Sequence, residues 1–323
     1  MKIIDRLKAV AAIAVIAAAS MPAAAQYPTR PISVVIPFAP GGSTDNEARL
    51  YTDKVSRSLG QPLVFDFRPG AASSIGVAYA LKAAPDGYTL LMTNAGITVF
   101  PNFYPELNPA VIKTLATITE LSGRSTAILT SPKALPDVHN VKDLIAYGKA
   151  NPDKLNCNTA GAGGITHTVC ASMALSMGIP ITAVHYKGVA LGQADLMAGR
   201  TQVSGGTLFQ AMPHIKRGAV RAIAVFGKER SKLMPQLATT SEQGINLDYP
   251  SWLGAFAPPG TPGNIIATLH SELVKAVKSP DVVQILEKQG SIPIGSTPAE
   301  FGRKMDSELA YWKDVIEKAN LRL

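Results

Sequence analysis

Cysteine, histidine and long apolar runs are scarce in this 323-residue chain, and each scarcity removes a class of function. Two cysteines, Cys157 and Cys170, cannot build a CxxC-type zinc site. They either close one short disulfide loop or stay as buried thiols, and spacing alone does not choose between these. The five histidines (His139, His167, His185, His214 and His270) lie far apart and show no metal-ligand spacing. HExxH and GxSxG are both missing, which removes the zinc-peptidase helix and the α/β-hydrolase elbow. GxxxxGK[ST] is missing too, so a phosphate-cradling nucleotide loop is not expected. Basic residues are scattered, with no run of five or six and no interleaved aromatics, so nucleic acid is not an expected partner. No cofactor is expected.

The N-terminus carries an export pattern. Lys2, Arg6 and Lys8 precede the apolar run Ala9 to Ala17, and Met21-Pro22-Ala23-Ala24-Ala25 offers small residues before Gln26. This is the three-part pattern of a cleavable signal peptide over residues 1–25, with cleavage after Ala25 and a periplasmic destination. The run is too short for a membrane-spanning helix, which needs about 20 residues. No cysteine follows the cleavage point, so no lipid anchor is expected. Nothing later is long and unbroken enough to span a bilayer, and the mature chain is expected to be soluble. Of the net charge of +8, Lys2, Arg6, Lys8 and Asp5 account for +2, leaving +6. A mild positive field of this kind favours anionic ligands, although solubility alone also accounts for it.

Downstream, β-branched apolar runs alternate with helical patterns. Ile32 to Pro37, Leu63 to Asp66 and Thr89 to Met92 read as strands, with helices over 47–59 and 74–84 between them. The rhythm restarts with strands at 125–130, 155–158, 181–184 and 220–225 and helices over 141–149 and on to Met177. Three helices close the chain, near 264–277, 280–289 and 298–319. The last carries Phe301, Met305, Leu309, Trp312 and Ile316 as one apolar face. Strand–helix alternation implies mostly parallel sheets flanked by helices. Two such rounds predict a two-lobe α/β fold with a ligand cleft between the lobes. Residues 26–127 plus 247–323 form lobe 1 and residues 128–246 form lobe 2.

Two loops share one design. Pro37-Phe38-Ala39-Pro40-Gly41-Gly42-Ser43-Thr44-Asp45 leaves a strand and enters a helix, with Ser43 or Thr44 placed to cap it. Asn158-Thr159-Ala160-Gly161-Ala162-Gly163-Gly164-Ile165-Thr166-His167 does the same. Free N–H groups at a helix start form a ready anion site, and ligands of open α/β sheets bind beyond strand C-termini. One loop per lobe would grip a single anion from two sides. Each loop alone is equally well plain turn geometry. His167 is placed either to donate to a ligand carboxylate or to act as a cap or core-facing ring. Asp45 and Arg49, four residues apart, read as a helix-surface ion pair.

These residues resemble the periplasmic receptors of tripartite tricarboxylate transporters, also called Bordetella uptake gene receptors. The resemblance covers essentially the whole mature chain: Tyr27 to Ile32, Pro37 to Asp45, Arg68-Pro69-Gly70-Ala71, Ala84 to Leu90, Tyr186-Lys187-Gly188, Ser251 to Gly254 and Pro259 to Pro262. It implies a fold that closes on its ligand and holds a carboxylate through backbone amides of the loops 38–45 and 159–167, with ordered water helping. It also implies pocket contributions from Asn94, Ala95 and Gly96 and from Gly205, Gly206 and Thr207, with Phe38 against the ligand's apolar body. Two departures stand out. His185 replaces the usual proline, and Gly205-Gly206 stands where many members carry a bulkier residue, often an acid. The missing acid argues against amino-bearing ligands, and the two glycines leave room for a larger or aromatic carboxylate.

The expected function is therefore a monomeric, non-enzymatic receptor that captures a small carboxylate, a dicarboxylate or an aromatic one, for the permease subunits of a membrane transporter. The alternatives are a receptor presenting its ligand to a sensor kinase, and a secreted hydrolase built on Ser43 and His167.

Overall fold

A computed structural model describes residues 27–321, and the signal segment expected at residues 1–25 lies outside the described residues. The chain opens with β1 (Ile32–Ile36), α1 (Ser43–Leu59), β2 (Leu63–Phe67), α2 (Ser74–Lys82) and β3 (Thr89–Asn94). A short helix, α3 (Pro109–Ile112), precedes the long strand β4 (Ala116–Arg124). A second round follows with β5 (Thr126–Thr130), α4 (Val141–Ala150), β6 (Asn156–Thr159), α5 (Ile165–Met177) and β7 (Thr182–His185). It continues through α6 (Val189–Ala198), β8 (Val203–Thr207), α7 (Leu208–Lys216) and β9 (Arg221–Val225). The chain returns as β10 (Trp252–Ala257) and ends with α8 (Gly263–Val277), α9 (Pro280–Lys288), β11 (Ser291–Pro293) and α10 (Pro298–Lys318).

Two sheets result, ordered β11-β4-β10-β3-β1-β2 and β7-β6-β8-β5-β9. The strand–helix rounds pair in parallel as alternation predicts: β1 with β2 and β3, and β6 with β7 and β8. The remaining pairings are antiparallel, so both sheets are mixed rather than mostly parallel. β10 lies between β3 and β4, β11 joins the edge at β4, and β5 lies between β8 and β9. The physical reason is the pair of crossings between sheets. The strands that arrive from the other sheet, β5 and β10, run against the local βα rounds. The first crossing falls at Ser125, between β4 and β5, and the second lies between β9 and β10. The boundary expected at 127/128 thus falls inside β5.

The core follows the predicted periodicities. Ile32, Val34, Val35 and Ile36 of β1 are fully buried, as are all six residues of β10. The apolar face of α10 is buried throughout, but its two halves serve different cores. Phe301 and Met305 pack with Trp252 and Phe256, whereas Trp312, Val315 and Ile316 pack with Val169 and Met173 of α5. A closed capping box starts this helix: Glu300 N–H donates to Thr297 Oγ1 at 3.2 Å, and Thr297 N–H donates to Glu300 Oε2 at 2.9 Å.

Cys157 and Cys170 form a disulfide, with Cα atoms 6.0 Å apart. It staples β6 to α5 and encloses the whole second glycine-rich loop. Closing a loop of 13 residues stabilises by about 3 kcal/mol in the chain-entropy account. The Cys157→Ser/Cys170→Ser protein is expected to lose that much in urea unfolding. An unchanged midpoint would show that the bridge contributes nothing.

Candidate ligand-binding cavity

The loop after β1 and the loop after β6 adopt one geometry. Helix α1 is preceded by Gly42 (φ −75°, ψ 173°) and α5 by Gly164 (φ −87°, ψ 171°), both extended and without a side-chain cap. Ser43 and Thr44 do not cap α1; they form its first turn, because the helix begins at Ser43 rather than near Glu47. The residue before each N-cap, Gly41 (φ 81°) or Gly163 (φ 70°), is left-handed, a conformation that glycine adopts without steric cost. In each loop the third helical residue folds back on that glycine. Gly41 N–H donates to Asp45 Oδ2 at 2.8 Å, and Gly163 N–H donates to His167 Nδ1 at 3.2 Å. Asp45 also pairs with Arg49 (2.8 Å), as the four-residue spacing predicts. The later first-turn amides remain for a ligand.

His167 therefore takes its cap role and does not reach the cavity wall. Accepting at Nδ1 requires a neutral ring. Burial, and then the neighbouring His185 ring at 4.6 Å, lower the pKa of His167 and favour that form. His185 Nδ1 is bonded to Thr159 Oγ1 at 2.8 Å, so Thr159 supports the loop from beneath.

Both loops open on one cavity of about 700 Å³. From the first come Phe38 and Ser43; from the second come Ala160, Gly161, Gly163, Gly164 and Thr166. Asn94, Gly96 and Thr207 also line it. Asn94 Oδ1 is engaged by Gly96 N–H at 3.0 Å. Gly41, Gly42, Thr44, Asp45, Ala95 and Thr159 are not among its lining residues: Gly41 and Gly42 are exposed beside Ser43, and the other four are buried. Gly205 and Gly206 line a neighbouring pocket of about 260 Å³, which shares Val189, Thr207 and Gln210 with the main cavity. A Cβ on Gly205 would stand 2.6 Å from Val169 Cγ1, and one on Gly206 3.0 Å from Leu129 Cδ1. Val169 and Leu129 thus occupy the place that a side chain would take at these two positions.

Sequence reasoning missed a third rim. Pro69 to Ser73 line the cavity, and Ala71, Ala72 and Ser73 all hold positive φ (44°, 52° and 83°). Such backbone costs roughly 1–3 kcal/mol per residue and gathers at binding sites. The signal was the small-residue run Gly70-Ala71-Ala72-Ser73-Ser74 ahead of a helix, the same design as the other two loops. Val189, Gln210, Tyr249 and Arg124 were missed too, being far apart in sequence.

Five helices thus begin at this cavity, through Ser43, Ser73, Ile165, Val189 and Thr207, and none of the five has a side-chain cap. Their N-termini sum to a positive potential without a lysine, each favouring an anion by about 0.3–1 kcal/mol. Arg124 is the one charged side chain on the wall, and it is ion-paired with Glu47. Among the described residues no cluster of His, Cys, Asp or Glu could hold a metal, and no helix is long and apolar enough to cross a membrane.

Two α/β units around a cavity lined by helix starts at the strand ends define the class of solute-binding receptors. The chain belongs to the tripartite tricarboxylate transporter family receptors, whose profile matches residues 47–321. Receptors of this family are periplasmic solute-binding proteins, not enzymes. A UPF0065 protein of Bordetella pertussis is 34% identical over 324 residues, covering 100% of this chain and 99% of its own. A Rhodopseudomonas palustris protein solved with adipate is 30% identical with a TM-score of 0.77, covering 92% of this chain and 99% of its own. MatC of Rhodopseudomonas palustris, solved with bound malate, is 27% identical with a TM-score of 0.74, covering 90% of this chain and 100% of its own.

Proposed function

We propose that this protein captures a small dicarboxylate in the periplasm and delivers it to the membrane subunits of a tripartite transporter. The observation that carries the reading is the convergence of five helix starts without side-chain caps on one cavity, where the only charged side chain among the described lining residues is already paired. Backbone dipoles aimed at one point favour a negative group, and they do so without the desolvation cost of a free buried cation. One carboxylate lies between the starts of α1 and α5, one from each lobe, with Phe38, Val99 and Phe100 against the carbon chain. Malate and adipate in the related structures support a dicarboxylate. The export pattern of residues 1–25 supports periplasmic delivery. The lobes that close on the ligand are those carrying the two sheets.

A thermal-shift screen of mono-, di- and tricarboxylates against their neutral amides tests this. Ligand at a hundred times its Kd stabilises by about 2.7 kcal/mol, which raises Tm by several degrees. A shift is expected with acids and not with amides. Equal shifts with both, or none with any acid, would overturn the reading.

A further inference from the structure

The main cavity does not end at Ser43. A second chamber of about 260 Å³ adjoins it, and Ser43, Arg124, Thr207 and Gln210 line both. Asn46, Gln289 and Ser291 add polar groups to its wall, Phe209 adds an apolar one, and no carboxylate lines it. Both sheets contribute, since Thr207 ends β8 while Arg124 ends β4 at the first crossing.

The Arg124 guanidinium is held at two of its three nitrogens. Nη2 is bonded to the carboxylate of Glu47, and Nε donates to Ser291 Oγ at 3.3 Å. Glu47 is 1% exposed and also accepts from Tyr51 Oη (2.8 Å) and Ser122 Oγ, so it anchors the guanidinium from behind. Nη1, with two N–H groups, has no protein acceptor among the described residues. Gln210 is set up in the same sense. Thr207 Oγ1 donates to its Oε1 at 2.9 Å, which leaves the Nε2 donors for another partner. A planar guanidinium that never deprotonates, beside an amide donor, matches the oxygens of a carboxylate.

We infer that this chamber is a second carboxylate subsite, in which Arg124 Nη1 and Gln210 Nε2 receive the far end of a dicarboxylate whose near end lies at the helix starts. The inference rests on the carboxylate-receptor reading above and adds the residues that tell two-ended acids from one-ended ones. A monocarboxylate of the same chain length leaves these donors unmatched. Because Glu47 already neutralises the guanidinium, the discrimination comes from directed N–H donors more than from net charge.

Calorimetric titration with succinate, glutarate, adipate, pimelate and suberate, each against the straight-chain monoacid of equal carbon number, tests the subsite. At least one diacid is expected to bind roughly ten- to hundredfold tighter than its monoacid, the range for hydrogen bonds to charged groups. Arg124→Gln should bring that ratio towards one. Since that change strips a partner from buried Glu47, the paired variant Glu47→Gln/Arg124→Gln removes both charges together, and the ratio should fall there as well. Gln210 is solvent-exposed, so Gln210→Ala tests the subsite without touching the core and should lower the ratio several-fold. A wild-type protein that binds monoacids as tightly as diacids overturns the subsite and leaves the receptor reading intact. So does a paired variant with the wild-type ratio. Failure of every acid to bind overturns both.

Discussion

Replacing Gly164 with valine is expected to leave the fold in place and to lower carboxylate affinity about a thousandfold, or 4 kcal/mol. The backbone at Gly164 has φ −87°, which any L-residue adopts, and a β-branched residue favours this extended conformation. A Cβ there meets nothing closer than Gly161 O at 3.8 Å. The added methyls therefore enter the cavity that Gly164 lines, over the first-turn amides of α5. Losing two hydrogen bonds to a charged ligand at about 1.5–3 kcal/mol each gives the stated effect. Stability should change by only about 1 kcal/mol, the difference between N-cap residues. Gly163 would be a poorer test, because its φ of 70° strains any side chain and would mix folding with binding. Calorimetry with adipate and a urea titration of the same variant decide the matter. Unimpaired binding in a folded Gly164→Val protein would remove the α5 loop from the site.

The second large effect concerns pH. Glu308 of α10 lies buried at 9% exposure, where both carboxyl oxygens face Trp252 Nε1 (2.9 and 3.0 Å) and Oε2 also faces Thr98 Oγ1 (3.3 Å). Burial pushes its pKa up to about 8. Lys304 and the Trp252 indole pull the other way, while Glu120 and Asp248 add to the rise. The folded protein thus holds a proton that the unfolded chain releases above its ordinary value of 4.5. Stability tied to this group is fully present below pH 4.5, declines as pH rises to about 8, and is level above that. At about 1.4 kcal/mol for each tenfold difference in proton affinity, the decline reaches several kcal/mol. Glu308→Gln copies the protonated form and cannot titrate. Its unfolding free energy should change much less between pH 5 and pH 8 than that of the wild type, and at pH 8 it should be the more stable protein. Parallel profiles for the two proteins would show that Glu308 does not titrate as argued. The group sits where Trp252, on the returning strand, meets the turn at Ala95 to Thr98 beneath the cavity.

The helix starts show how far local chemistry carries. Both glycine-rich loops were legible because a strand, a pair of glycines and a helix lie within about a dozen residues, and each step is decided by nearby backbone sterics. The strand over 203–207 is not among those read from the sequence. Ser204-Gly205-Gly206-Thr207 looks like loop, yet it is an inner strand of its sheet because α5 packs closely enough for Val169 to fill the space above Gly205. Glycine inside a strand marks such close approach, but only the approaching partner reveals it.

From its amino acids alone, the chain settled its local alternation of strand and helix, the buried stripe of α10 and the paired loop design, since these depend on neighbours within a turn or two. Tertiary contact decided the rest. It inserted β10 antiparallel between β3 and β4, brought five helix starts to one cavity, and tied Arg124 to Glu47 across 77 residues of sequence. Pairings at that separation depend on which surfaces bury each other after the chain has closed long loops, and no short stretch of residues encodes that choice.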